Sequence, residues 1–237
     1  MNLAELQLPE QIHAHQHADG AALAAAMARQ VADALRAALA ERGRALLVVS
    51  GGRSPALFFE HLSRQVLAWD KVQVSLADER WVPPDSPDSN EALVRRHLLQ
   101  NQAAGACLVG LYHPAADLDE AARLAEQALG GLPPIDVLVL GMGDDGHTAS
   151  LFPDSPRLAE ALSAGCRHAV LPMRAPSSPR QRLTQTLPRL ASARLTLLAI
   201  EGGSKLSTLG RALQPGEVAQ MPIRAFLRAP LELHWNP

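Results

Sequence analysis

Several things are scarce in this sequence. Its 237 residues include only two cysteines, Cys107 and Cys166, far apart and outside any C-x-x-C spacing. That pattern excludes a disulfide-stapled scaffold, and reducing, cytoplasmic conditions are the expectation. No run of about 18 apolar residues occurs, which excludes a transmembrane helix. The first residues, MNLAELQLPEQ, lack a basic segment followed by an apolar one, so no secretory signal is expected. A charge bias is also missing. The net charge of −2 gives no pull toward nucleic acid or an anionic membrane surface. Lysine is nearly absent: of 22 basic Lys and Arg residues, only Lys71 and Lys205 are lysines.

What is present suits one sizeable core. Hydrophobic residues make up 47% of the chain, and no repeat, low-complexity linker or domain boundary interrupts residues 1–237, so one domain is expected. AALAAAMARQVADALRAALAERG, ending at Gly43, predicts a long helix. Ala45–Ser50 is a short apolar run suited to a buried strand, and Pro55 suits the first turn of a helix through Leu67. Val72–Leu76 predicts a second strand, and Asp88 with Glu91 has capping-box spacing for a helix through Leu99. Helices are expected over 118–129, 180–190 and 203–213, with Pro188 ending or bending the second. Strands are expected over 135–140, 168–171 and 195–200, and an edge strand over 231–235. This alternation predicts an α/β, Rossmann-like, doubly wound and mainly parallel sheet with helices on both faces. Ligands bind such sheets at the loops after the strands.

Those loops are where the chemistry-bearing residues fall. Ser50-Gly-Gly-Arg-Ser-Pro55 places Gly51 and Gly52 at a strand-to-helix turn, where backbone N–H groups approach an anion closely; Ser54 adds a hydroxyl and Arg53 a charge. It is not a Walker motif, because G-K-[ST] is absent. Ala77-Asp-Glu-Arg-Trp-Val-Pro83 offers Arg80 as a bidentate anion grip, unless Asp78 or Glu79 simply pairs with it on the surface. Lys205, in GGSK, is unfavourable near a helix start, and a bound anion would offset that. Arg180 and Arg182 fit the same logic more weakly.

Gly141-Met-Gly-Asp-Asp-Gly-His-Thr-Ala-Ser-Leu-Phe-Pro153 contains G-x-G-x-x-G directly after a strand-like run. Asp144 and Asp145 would repel a pyrophosphate, Glu160 lies in a helical segment where the acidic strand residue of a dinucleotide site should stand, and Pro153 interrupts a following helix. The better candidate is His147, which can take a proton near neutral pH, with Asp144 or Asp145 fixing its tautomer. His13, His15 and His17 alternate and would share one face of a strand; an exposed polar strand is the plainer reading than a metal site. Cys166 is a lone thiol with no evident catalytic neighbour, and Trp69 and Trp235 read as packing residues.

Three loops together, SGGRSP, DERWVPPDSPDSNEALVRRHLL and GMGDDGHTASLFP, resemble those of the 6-phosphogluconolactonase family. GGSKL fits its later lysine position, so the resemblance spans roughly residues 46–213. It implies the same Rossmann-like fold and no nicotinamide cofactor; because a lactone is a reactive ester, no metal is expected either. It implies hydrolysis of 6-phospho-D-glucono-1,5-lactone to 6-phospho-D-gluconate, in the oxidative pentose phosphate pathway. The family's base matches His147; Asp145 is expected to assist it, and Arg80 or backbone N–H groups to stabilise the oxyanion. Its substrate- and phosphate-binding positions match Gly51, Gly52, Asp78, Arg80 and Lys205, and Ser50 and Ser54 are expected to bind substrate beside them. Arg182 matches too, although SSPRQR departs from the commoner SPKPP-x-R pattern; Arg53 stands where members vary. The implied partner is a small phosphosugar lactone, with neither nucleic acid nor membrane, on a monomer or weak homo-oligomer. An amino-sugar phosphate deaminase/isomerase shares SGG and the Asp-Gly-His loop, but has DEY for DERWVP and IAFNEP for TASLFP. A non-catalytic phosphosugar sensor would usually carry a DNA-binding segment, and no helix-turn-helix extension or basic face is present.

Overall fold

The computed structural model describes residues 3–52 and 54–237; Arg53 lies outside the described residues. In chain order the elements are β1 (Ile12–Gln16), α1 (Gly20–Arg42), β2 (Ala45–Val49), α2 (Pro55–Ser63), β3 (Val72–Leu76), β4 (Asp78–Arg80) and α3 (Asn90–His97). There follow β5 (Cys107–Val109), α4 (Leu118–Leu129), β6 (Val137–Leu140), α5 (Leu158–Leu162), β7 (Val170–Arg174) and β8 (Gln181–Gln185). The last are α6 (Leu187–Leu190), β9 (Leu195–Glu201), α7 (Gly202–Leu213) and β10 (Leu231–Asn236).

Seven strands form one sheet in the order β1-β10-β9-β6-β2-β3-β5, every pair parallel. The apolar runs at its centre are buried on both faces because successive side chains alternate. Leu47, Val49, Val74, Val137 and Val139 join α1, α2 and α4 in one core. Leu46, Val48, Leu138, Leu140, Leu198 and Ile200 join α7 and the segment around Ile223–Leu227 in the other. Helices on both faces of a mainly parallel sheet are what the alternation of elements leads one to expect. From β2 the chain steps outward to β3 and β5, then returns through β6 to the other half of the sheet. The crossover reverses between β2 and β6, which stay paired to their carboxyl ends, and the loops that follow them meet at this switch point, where open α/β sheets bind ligands.

The differences from expectation are local. Residues 181–185 are not helical: β8 lies between β4 and β7 in a separate three-stranded antiparallel sheet. Leu183, Thr184 and Gln185 are buried there, so pairing and packing override the helical reading, and only the one-turn α6 carries Pro188. Arg182 therefore sits on a strand rather than at a helix start. β10 is not an edge: it is sandwiched between β1 and β9, and β1 closes the sheet. Helix α3 is capped by Ser89, whose side chain accepts from the Ala92 amide, rather than by Asp88. Trp69 and Trp235 are buried as packing residues.

Candidate active site

Four loops leave the carboxyl ends of β9, β6, β2 and β3, which are neighbours in the sheet, and line one cleft of about 600 Å³. Ser50, Gly51, Gly52, Ser54, Asp78, Arg80, His147, Arg182 and Lys205 all line it. Arg180 is exposed outside it, and neither Asp144 nor Asp145, both exposed, is among the residues that line it.

His147 is held by its own loop. Gly146 adopts φ 80°, a left-handed conformation suited to glycine, and the chain closes as the Gly143 amide donates to the His147 carbonyl at 2.8 Å. A Cβ at Gly143 would collide with the His147 ring and the Asp145 carboxylate, so that glycine provides room rather than flexibility. Asp145 Oδ1 accepts from the His147 amide at 3.0 Å and meets its Nδ1 at 2.6 Å. Burial alone would push the Asp145 carboxyl up, but the ring and amide of His147 outweigh it and hold the group below the usual range. An ionised Asp145 accepts from Nδ1–H, and the Nε2 lone pair then has no hydrogen-bond partner among the described residues. The ring also packs on Phe152, with centroids 4.4 Å apart.

Asp144 does something else. Its carboxylate pairs with Lys205 Nζ at 3.0 Å, and that contact holds it below its ordinary pKa. Its carbonyl accepts from Arg211 and Thr208 of α7, tying the histidine loop to the lysine helix. The two aspartates that the sequence leaves interchangeable are thus separated by their partners.

Neither acid of Asp78-Glu79-Arg80 pairs with the Arg80 guanidinium. Asp78 is buried and accepts from Ser150 Oγ at 2.5 Å. Glu79 is fully buried and accepts from the amides of Arg80, Asn90 and Glu91 and from Ser89 Oγ, so it closes the N-terminus of α3. Burial pushes its carboxyl up to about 7 against those donors. Arg80 donates Nη1 to the Asp88 carbonyl. Its buried Nε has no partner among the described residues, and neither has the buried Ser50 Oγ. Arg182 lies opposite Arg80 across the β4–β8 ladder, donates Nε to the Pro179 carbonyl, and sits 5.7 Å from the Phe152 ring centroid.

Three contributors carry no local signal strong enough to single them out in the sequence. Asn90 lines the cleft over Gly51, where any Cβ would strike its side chain; Ser150 anchors Asp78; Phe152 touches both His147 and Arg182. Asn90 and Ser150 are common polar residues whose role depends on long-range placement, and only the literal loop TASLF hints at the other. The histidines of β1 form a separate network. His13 and His15 bond Glu232, and His17 bonds His234, which stacks on His15 and meets Gln30. Among the described residues no group of three or more His, Cys, Asp or Glu side chains is placed to hold a metal ion.

A basic, glycine-turned cleft with an oriented histidine at a parallel-sheet switch point defines an α/β protein built to handle a small anionic ligand. The chain belongs to the family described as glucosamine-6-phosphate isomerases/6-phosphogluconolactonase, whose model matches residues 18–235. A 6-phosphogluconolactonase from Pseudomonas aeruginosa is 57% identical over 238 residues, covering 100% of both chains. One from Pseudomonas putida is 54% identical, covering 100% of this chain and 98% of its own. The crystal structure of a 6-phosphogluconolactonase from Shewanella baltica superposes with TM-score 0.93 at 37% identity, over 97% of this chain and 100% of that one.

Proposed function

We propose that the protein hydrolyses 6-phospho-D-glucono-1,5-lactone to 6-phospho-D-gluconate, within a single lactonase domain. The observation that carries the chemistry is the Asp145–His147 contact, which leaves Nε2 available at the mouth of a cationic cleft. Arg182 and Lys205, with the Gly51–Gly52 amides and Ser54, hold the phosphate dianion. Asp78 and the unpartnered Ser50 hydroxyl face sugar hydroxyls. His147 Nε2 takes a proton from the water that attacks C1. Arg80 Nε, buried without a partner among the described residues, donates to the oxyanion as it forms. The tetrahedral intermediate collapses by breaking the bond from C1 to the ring oxygen. The imidazolium returns its proton to that oxygen, so the acid and the new hydroxyl leave with atoms and charge balanced. A lactone is a reactive ester, and general-base help of about 10²–10⁴-fold, roughly 3–5 kcal/mol, suffices without a covalent nucleophile.

Loss of enzymatically generated 6-phosphogluconolactone is expected to accelerate in proportion to added protein, with no ammonia released from glucosamine-6-phosphate. Ammonia release with unchanged lactone decay would transfer the chain to the deaminase reading.

A further inference from the structure

The proposed chemistry leaves the segment TASLF, residues 148–152, without a role, yet its geometry gives it one. Thr148 and Leu151 form an isolated bridge, the Leu151 amide donates to the Thr148 carbonyl at 3.0 Å, and Ala149 takes φ 48° to close the turn. The turn doubles back, so that Phe152 returns to the histidine that precedes it. Thr148 Oγ1 pins the start of the loop by donating to the Gly141 carbonyl, and Ser150 pins its middle to Asp78. Phe152 is 5% exposed. One ring therefore meets two groups of opposite duty. The His147 ring lies 4.4 Å away at a 41° tilt, and the Arg182 guanidinium carbon lies 5.7 Å from its centroid. The first is a tilted aromatic contact, the second a cation–π distance.

Asp145 alone does not fix the imidazole. It restrains the ring at one atom, Nδ1, and leaves the ring face without support. Gly143 supplies only a gap into which the ring fits. Arg182 in turn donates Nε to the Pro179 carbonyl, and no carboxylate among the described residues lies within ion-pair distance of it. Burial lowers its pKa against the field of Asp78. Each group lacks one restraint, and the Phe152 ring supplies it to both.

We propose that Phe152 is a positioning residue that aligns the His147 base with the Arg182 anion grip through opposite demands on one aromatic ring. This rests on the reading of His147 as base and Arg182 as phosphate ligand. It adds that the base and the anion grip are coupled to each other and are not independent parts of the cleft.

The test is a double-mutant cycle on the full-length protein with 6-phosphogluconolactone as substrate, because residues acting as a unit give non-additive losses. Phe152→Leu keeps an apolar side chain and removes the ring. It is expected to lower kcat about 10-fold, on the scale that slight misplacement of a catalytic group costs, and to weaken competitive inhibition by inorganic phosphate several-fold. Phe152→Tyr, which keeps the ring, is expected to recover most of both losses. In a His147→Ala background the same Leu change should alter kcat by less than about twofold, since no base is left to align. A merely structural role would instead lower the folded fraction and reduce kcat equally in both backgrounds, with no change in phosphate inhibition and no rescue by Tyr; that pattern overturns the proposal. If Phe152→Leu does not fold, Phe152→Met carries the same comparison. Failure of the underlying reading looks different: wild-type protein would not turn over the lactone, or His147→Ala would match it.

Discussion

Lys205 stands out in a chain that writes nearly all its positive charge as arginine, and the structure gives it a specific neighbour. Its ammonium pairs with Asp144, a side chain 70% exposed, at 3.0 Å. Exposed pairs of this kind contribute about 0–1 kcal/mol, so under the proposed function a phosphate dianion would displace the carboxylate at little cost. Lys205→Ala should raise KM for the phosphorylated lactone about 10-fold or more, the usual scale for a hydrogen bond to a charged group, with a smaller change in kcat. Steady-state kinetics on phosphorylated and unphosphorylated gluconolactone check this, and equal losses on both substrates would remove Lys205 from the phosphate site. His147, Lys205 and the Gly51–Gly52 turn are legible in the sequence because short motifs carry them. Which aspartate serves the histidine is not legible there. Asp145 meets His147 and its neighbour Asp144 meets Lys205, and that choice depends on how α7 docks against the loop.

Strands whose character is set by their own residues are legible in the sequence; those that depend on a distant partner are not. β2 and β6 announce themselves as continuous apolar runs because both their faces are covered, and β3 and β9 as short segments rich in Val, Leu and Ile. β8 reads as QRLTQ, with polar ends, and becomes a strand only because β4 and β7 flank it. The alternating histidines of β1 are equivocal by themselves and gain meaning from β10 and α1. His234 is buried between His15, His17, Glu232 and Gln30, with Arg29 contributing to the field on His17. Burial first, then the neighbouring histidines, push its pKa down to about 3. A histidine lowered on folding contributes stability that is present above its unfolded value of about 6.5 and lost as pH falls from there toward 3. The unfolding free energy from urea titrations should therefore fall steadily between about pH 6.5 and pH 4, by up to about 1.4 kcal/mol for each pH unit crossed. His234→Gln should flatten that slope while starting from lower stability. An unchanged slope would show that His234 does not carry the acid sensitivity.

At the scale of the whole molecule, function follows from the direction of the sheet. All seven strands are parallel, so every turn at their carboxyl ends opens on one edge, and the reversal between β2 and β6 parts the helices there. Four unremarkable loops thereby become one cleft. That convergence is legible from the alternation of strands and helices, since parallel order leaves few alternatives. The second sheet is not, yet it brings Arg182 opposite Arg80 and completes the cationic wall. The claim on which the rest depends is that His147, presented at this edge with Asp145 behind it, is the base for lactone hydrolysis. Its most direct test is kcat and KM of His147→Ala on 6-phosphogluconolactone, with folding verified by circular dichroism. The expected result is a fall in kcat of about 10²–10⁴-fold with KM little changed; a kcat within about twofold of wild type would contradict it.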